Sequence, residues 1–338
     1  MESSLLTLTD VGLYCAAGDF YIDPWRPVDR AVVTHAHSDH ARPGSLAYLA
    51  ARDGELVLRA RVGEAATIQT LAYGETIDIG GVQVSLHPAG HILGSAQVRV
   101  AQRGEVWAVS GDYKTEPDAT CAHFEPVRCH TFVTECTFGL PIYRWEPQQA
   151  IFAQIDAWWR ANQLAGKASV LYGYALGKAQ RLLAGVDASI GPIVCHGAVQ
   201  RLNGAYRASG VALPPTRYVS ELQAGFAWRD ALIVAPPSAH GTPWLRRFGP
   251  ISTAFASGWM RIRGTRRRRA VDRGFALSDH VDWDGLNAAI HATGAERVWA
   301  THGYTAPLVR WLTERGYEAA AVQTRFEGEV EEPEEIDH

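Results

Sequence analysis

Thr34-His35-Ala36-His37-Ser38-Asp39-His40 sets three imidazoles and a carboxylate within six residues, His35 to His40. The apolar run Ala31-Val32-Val33 precedes it, so the pattern predicts a short strand that ends in a tight turn carrying all four donors. Neutral imidazole and carboxylate are ligands that Zn²⁺ accepts, at ~2.0–2.2 Å. A lone histidine reads as a packed or turn residue. Four donors at this spacing predict a metal site.

One turn cannot complete two coordination spheres, and three further donors share its setting just beyond a short apolar strand. Val82, Val84 and Leu86 alternate with Gln83 and Ser85 ahead of His87-Pro88-Ala89-Gly90-His91. The run Val106 to Ser110 leads into Gly111-Asp112, and Arg297-Val298-Trp299-Ala300 leads into Thr301-His302-Gly303. Strand ends are where sites assemble on a packed scaffold. Taken singly, each of His91, Asp112 and His302 reads as a turn residue. Joined to His35, His37, Asp39 and His40, they make seven ligands, enough for two metals.

Around these motifs the chain changes rhythm twice. To about residue 140 it reads as short strands broken by turns. From 141 to 275 helix and strand alternate, which predicts a parallel sheet flanked by helices. There Ile151, Ile155, Trp158 and Trp159 stand at helical spacing after Pro147. Strands are expected at 169–172 and 192–195, helices from Gly177 and Ala198, and an apolar strand at 231–235. From 276 to 326 the first rhythm returns. The expected class is therefore α/β, with an α/β module inserted into a split outer domain.

The 338 residues suit two such domains at roughly 100–200 residues each. Apolar residues at 47% and charged residues at 20% exclude disordered and fibrous classes. No apolar run approaches the ~18 residues of a membrane span. Met1-Glu2-Ser3-Ser4-Leu5 carries no basic stretch, so a secretory signal is not expected. Cys15, Cys121, Cys129, Cys136 and Cys195 form no CxxC pair, which fits a reducing cytoplasm. The net charge of −4 is unevenly spread. Seven acids and no Lys or Arg stand at 327–338, expected to be a disordered acidic tail; the remainder holds 29 acids against 32 bases.

With these residues in hand, THAHSDH resembles the HxHxDH signature of the metallo-β-lactamase fold, and Asp23 in Tyr21-Ile22-Asp23-Pro24 matches the acid that precedes it. Ala89-Gly90-His91-Ile92-Leu93-Gly94 and Ser110-Gly111-Asp112-Tyr113 are similar to the next motifs of its nucleic-acid-processing branch, the β-CASP family. That resemblance implies three later motif residues: Glu135 in Thr134-Glu135-Cys136, His280 in Ser278-Asp279-His280-Val281-Asp282, and His302. Position 135 holds Glu where Asp is the alternative, which the family permits. The match spans most of the chain and is most similar to the bacterial ligase-associated DNA exonucleases.

The resemblance implies an αββα metallo-β-lactamase sandwich (1–140 and 276–326) with an inserted β-CASP domain (141–275). It also implies two divalent metals, Zn²⁺ with Mn²⁺ as the alternative. His35, His37 and His91 are expected at one metal, Asp39, His40 and His302 at the other, with Asp112 between them. His280 is then the general acid, oriented by Glu135, and Asp23 supports a ligand histidine. The expected activity is cleavage of DNA, exonucleolytic, on single-stranded or processed ends in repair. The alternatives are a ribonuclease of the same architecture, a small-molecule ester or thioester hydrolase, and a scaffold with a decayed site. DNA ligase and helicase partners follow from the resemblance alone.

Substrate contacts are expected on the inserted module. Arg261-Ile262-Arg263-Gly264-Thr265-Arg266-Arg267-Arg268-Arg269 carries six Arg in nine residues, and phosphate contacts dominate nucleic-acid affinity. Arg261, Arg263, Arg266 and Arg267 are the expected clamp, beside Ser257 in Ser257-Gly258-Trp259. Lys178, at a strand-to-helix turn with free N–H groups, is a further phosphate contact.

Overall fold

The computed structural model describes residues 4–223, 225–262 and 270–326. The acidic stretch 327–338 and Arg263, Arg266 and Arg267 lie outside the described residues. The chain is mixed α/β with three sheets. Its contacts divide it into two units: residues up to 144 together with those from 280, and residues 145–279.

The first unit holds two six- and seven-stranded sheets. One runs Thr7–Leu8, Leu13–Cys15, Phe20–Ile22, Arg30–Val32, Ala47–Ala51, Ile68–Leu71. The other runs Glu318–Ala321, Arg297–Gly303, Thr131–Cys136, Glu105–Val109, Ala96–Gln102, Val82–Pro88, Thr76–Ile79. Their inner faces share one apolar core: Leu13, Phe20, Ile22, Val32 and Leu49 meet Val84, Leu86, Val98, Trp107 and Val133. The outer face of the seven-stranded sheet is covered by the helices Trp283–Thr293 and Thr305–Thr313. Through Leu286, Ile290, Leu308 and Leu312 they bury Ala108, Phe132 and Val298. Asp282 caps the first of these helices by accepting from Gly285 N at 2.8 Å, and Gly294 ends it in the left-handed region.

Strand direction decides where the donors gather. Arg297–Gly303, Thr131–Cys136 and Glu105–Val109 are parallel neighbours, so their carboxyl ends share one sheet edge. Two antiparallel steps, through Ala96–Gln102, bring the end of Val82–Pro88 to that same edge. The residues that follow or close these strands, Asp112, Glu135, His302 and His91, are therefore delivered together. The turn after Arg30–Val32 meets them from the other sheet, with Ala96 N donating to Thr34 O at 2.8 Å.

The second unit is an all-parallel six-stranded sheet in the order Arg217–Tyr218, Ile193–Cys195, Leu232–Ala235, Ala168–Tyr172, Ile251–Ala256, Arg273–Phe275. Its longest helix, Gln148–Leu164, buries Ile151, Ile155, Trp158, Trp159 and Asn162, a 3.6-residue stripe along one face. Trp159 Nε1 donates to Asp230 O at 3.1 Å and Trp158 Nε1 to Ser252 Oγ at 3.1 Å, so both indoles are buried with their donors used. Among the described residues no helix is long and apolar enough to cross a membrane.

Two expected substrate contacts are corrected by burial. Lys178 is 0% exposed; its Nζ donates to Leu277 O at 2.7 Å and pairs with Asp279 at 3.1 Å. The helix Lys178–Gly185 also closes its own N-terminus, with Gly177 N on Gln180 Oε1 at 2.8 Å and Ala179 N on Tyr174 O at 3.0 Å. A lysine whose charge is satisfied inside the fold has nothing left for a phosphate. Ser257 is likewise buried, its Oγ accepting from Trp259 N at 3.2 Å as the cap of its own turn. Arg261 is exposed, 3.6 Å from Glu146.

Candidate metal centre

Among the described residues three groups of His and acidic side chains have donor atoms close enough to hold a metal, and Asp112 belongs to all of them. In the first, His37 Nδ1 lies 3.1 Å from both His35 Nε2 and His91 Nε2. Asp112 Oδ2 lies 3.5 Å from His35 Nε2 and 3.8 Å from His91 Nε2. In the second, Asp112 Oδ1 is 3.0 Å from His302 Nε2 and 3.7 Å from His40 Nε2. Asp39 Oδ2 stands 3.6 Å from His40 Nε2, beside this second group. The two oxygens of one carboxylate thus face two separate sets of imidazoles.

The buried atoms of the second set fit an absent cation. His40 Nε2, His302 Nε2 and Asp112 Oδ1 are buried and converge on one another, and no group outside this set hydrogen-bonds to them. Leaving a buried polar group unpaired costs about 1–3 kcal/mol. Three such atoms facing each other fit a set that could hold a cation.

Neighbouring hydroxyls and carboxylates fix the protons on these rings. His40 Nδ1 donates to Asp23 Oδ2 at 2.7 Å, so Nε2 is the nitrogen turned toward the site. Thr34 Oγ1 donates to the same carboxylate, so it must accept from His35 Nδ1, 3.0 Å away. Thr301 repeats the device: its hydroxyl donates to Thr134 O at 3.2 Å and accepts from His302 Nδ1 at 3.1 Å. The Thr-His pairs at 34–35 and 301–302 were visible in the sequence, and their meaning as tautomer-setting pairs was not drawn from it. Asp23 holds this position with a backbone φ of 44°, a left-handed conformation rare outside glycine.

Two glycines are required where ligand loops pass other backbone. A Cβ on Gly90, whose φ is +76°, would lie 2.2 Å from Lys114 O; one on Gly303, φ +97°, would lie 2.2 Å from Cys136 O. Gly90→Ala is expected to cost about 2 kcal/mol or more through strain and overlap. Denaturant unfolding of the metal-free variant measures it, and loss of metal affinity should accompany it because His91 is the next residue.

Glu135 and His280 form a buried pair beside Asp112. His280 Nδ1 donates to Glu135, at 2.9 Å from Oε1 and 3.0 Å from Oε2, and its Nε2 lies 4.0 Å from Asp112 Oδ2. Glu135 also accepts from Tyr113 N at 3.0 Å and Thr137 N at 3.3 Å. It stands near the end of the strand Thr131–Cys136, and its bond from Thr137 N also ties down the turn that follows.

The charges of the metal-free site follow from this packing. Burial pushes His35 down, aided by the charge of His40, and keeps it neutral as a ligand must be. Burial also acts to lower His40, but the carboxylates of Asp39, Asp112 and Asp23 outweigh it and raise its pKa to about 10. Burial pushes Asp112 up, and the imidazoles of His40, His280 and His302 more than reverse this, holding it well below the usual carboxylate range. His40, raised above its ordinary 6.5, contributes its stability fully below about 6.5 and loses it as pH rises through about 10. A metal at Nε2 replaces that proton. Adding Zn²⁺ to chelator-stripped protein near pH ~8 is therefore expected to release close to one proton from His40. Calorimetry in buffers of different ionisation enthalpy measures this release, which should vanish above the His40 pKa.

The comparisons with known proteins agree with the resemblance to the β-CASP family of the metallo-β-lactamase fold. It is 31% identical over 314 residues to a protein described as "Probable DNA ligase" from Opitutus terrae, covering 92% of this chain and 30% of that protein. It is 28% identical over 122 residues to "Endoribonuclease YSH1" of Saccharomyces cerevisiae, covering 36% of this chain and 15% of that one. The chain thus spans less than a third of the length of these curated relatives. A crystal structure of a protein of unknown function from Enterococcus faecalis V583 shares the fold, with a TM-score of 0.57 at 12% identity over 89% of this chain and 80% of that one. No protein-family profile matches the chain.

Proposed function

We propose that the chain is a di-metal phosphodiesterase that cleaves DNA, an exonuclease acting on single-stranded or processed ends in repair. In this reading the double-sheet unit is the αββα metallo-β-lactamase sandwich and residues 145–279 are its β-CASP insert. The observation that carries it is the split of Asp112, Oδ2 toward His35 and His91, Oδ1 toward His40 and His302. A carboxylate so placed would offer one oxygen to each of two cations.

Asp112, His35, His37 and His91 would hold one ion, and Asp112, Asp39, His40 and His302 the other. Zn²⁺ suits these imidazole-rich sets, and Mn²⁺ suits the carboxylates. When bound, such a pair activates water and offsets charge on the phosphoryl oxygens. His280 gives the proton on Nε2 to the leaving oxygen. Glu135, accepting from Nδ1, keeps that imidazole oriented and stabilises its charged form. Asp23, Thr34 and Thr301 hold the ligand tautomers. Arg261, with Arg263, Arg266 and Arg267, supplies backbone contacts.

Similarity across nearly the whole chain to a relative described as a DNA ligase favours DNA and a ligase as a working partner, and a helicase partner rests on the family resemblance alone. A ribonuclease is the second reading, supported by the 122-residue similarity to an endoribonuclease. The five cysteines form no disulfide with one another, in keeping with a cytoplasmic setting. Digestion of matched, singly end-labelled DNA and RNA with Zn²⁺ or Mn²⁺ tests substrate, polarity and metal together. RNA cleavage without DNA cleavage reverses the first reading, and turnover of a lactone or thioester alone removes both.

A further inference from the structure

We propose that Phe326 is a positioning residue for the His40–His302 half of the metal centre, so that losing its ring weakens one of the two ions and spares the other. The proposal rests on the two-ion reading above. Its observation is an asymmetry in ring contacts. Phe326 stacks face to face on His40, with centroids 4.2 Å apart and planes at 12°, and meets His302 edge-on at 5.7 Å. His35, His37 and His91 instead pack edge-on against one another at 4.8–4.9 Å. Among the described residues Phe326 has no ring contact with those three.

The chain reaches this point just after the edge strand Glu318–Ala321. Val322 N donates to Ala300 O at 2.8 Å, one residue ahead of the Thr301-His302 pair, and four residues later the ring turns onto His40. Trp25 backs it edge-on at 6.0 Å. Phe326 also closes a small cavity whose walls are Leu13, Ile22, Val109 and Val133 and whose polar edge is Asp23, His40 and His302. Without the ring, water enters beside the Asp23–His40 hydrogen bond and the His40 ring gains freedom to tilt. The stack also lays a π face flat against the His40 imidazole, a favourable contact that holds the ring's plane. No donor of Phe326 reaches a ligand, so it acts only through the ring it holds.

Zn²⁺ titration of the chelator-stripped full chain, followed by calorimetry and by elemental analysis after gel filtration, tests this. Wild type should bind two ions. Phe326→Ala should keep one site unchanged and weaken the other by about tenfold or more, the scale of a lost aromatic stack and loosened ligand. Phe326→Trp should restore two-site binding, whereas Phe326→Leu, which refills the cavity without a π face, should not. Unchanged two-site binding by the alanine variant, or equal weakening of both sites, overturns the proposal. Full rescue by leucine assigns Phe326 to packing alone and overturns it as well. A wild-type chain that takes up a single ion overturns the two-ion reading itself, a result distinct from any variant's failure. Thermal unfolding of the metal-free variants separates a folding defect from a loss at the site.

Discussion

Asp112→Ala should empty both metal sets in one step and remove hydrolysis along with them. Each set contains one oxygen of this carboxylate, and no other side chain belongs to both. Loss of a residue that merely orients a ligand costs about 10–100-fold in affinity or activity. A shared ligand removed outright should exceed that at both ions, and activity should fall by at least ~10³-fold. The variant also strips His40 of one of the carboxylates that raise it, so the proton released on residual Zn²⁺ binding should shrink. His91→Ala provides the contrast: it should weaken the His35–His37–His91 set and leave the other largely loaded. Elemental analysis of both purified variants, with circular dichroism to verify folding, decides the matter. Retention of one ion at wild-type affinity by Asp112→Ala would show that the carboxylate does not bridge.

The parts of this site that could be read from the sequence are those whose chemistry is local. His35, His37, Asp39 and His40 announce themselves because four donors on one turn have no packing explanation. His91, Asp112 and His302 could be placed because each follows an apolar strand, and parallel strand ends share an edge. His302 proves to lie within Arg297–Gly303 rather than beyond it, at a register shift opposite Thr134 and Cys136. Glu135 and His280 came only through resemblance. Their partnership spans 145 residues, and neither sits in a pattern that names a partner. Lys178 misled for the same reason in reverse. A lysine at a helix start looks available until the fold brings Asp279 and the Leu277 carbonyl onto its ammonium. The strand Ala96–Gln102 was legible and passed over: Val98 and Val100 flank Arg99 in a period of two. Gln97 breaks that pattern because it is fully buried and donates to Pro88 O and Glu125 O.

His280→Ala should separate metal binding from turnover. His280 Nε2 is 4.0 Å from the Asp112 carboxylate, and its Nδ1 proton is committed to Glu135, so it stands beside the His35–His37–His91 and His40–His302 sets. The variant is therefore expected to bind two ions with affinity close to wild type while turnover falls by about 10²–10⁴-fold, the range for a lost general acid. If the step that suffers is protonation of the leaving oxygen, a substrate with a good leaving group, such as a nitrophenyl phosphodiester, should be spared most of that loss. Glu135→Gln should mimic the defect more weakly, since a neutral amide still accepts from Nδ1 but no longer stabilises the imidazolium. It should also move the basic limb of the rate profile to lower pH, because a charged imidazole without its carboxylate deprotonates more easily. Equal metal loss in His280→Ala and Asp112→Ala would make His280 a ligand, and an unchanged leaving-group dependence would place the proton elsewhere.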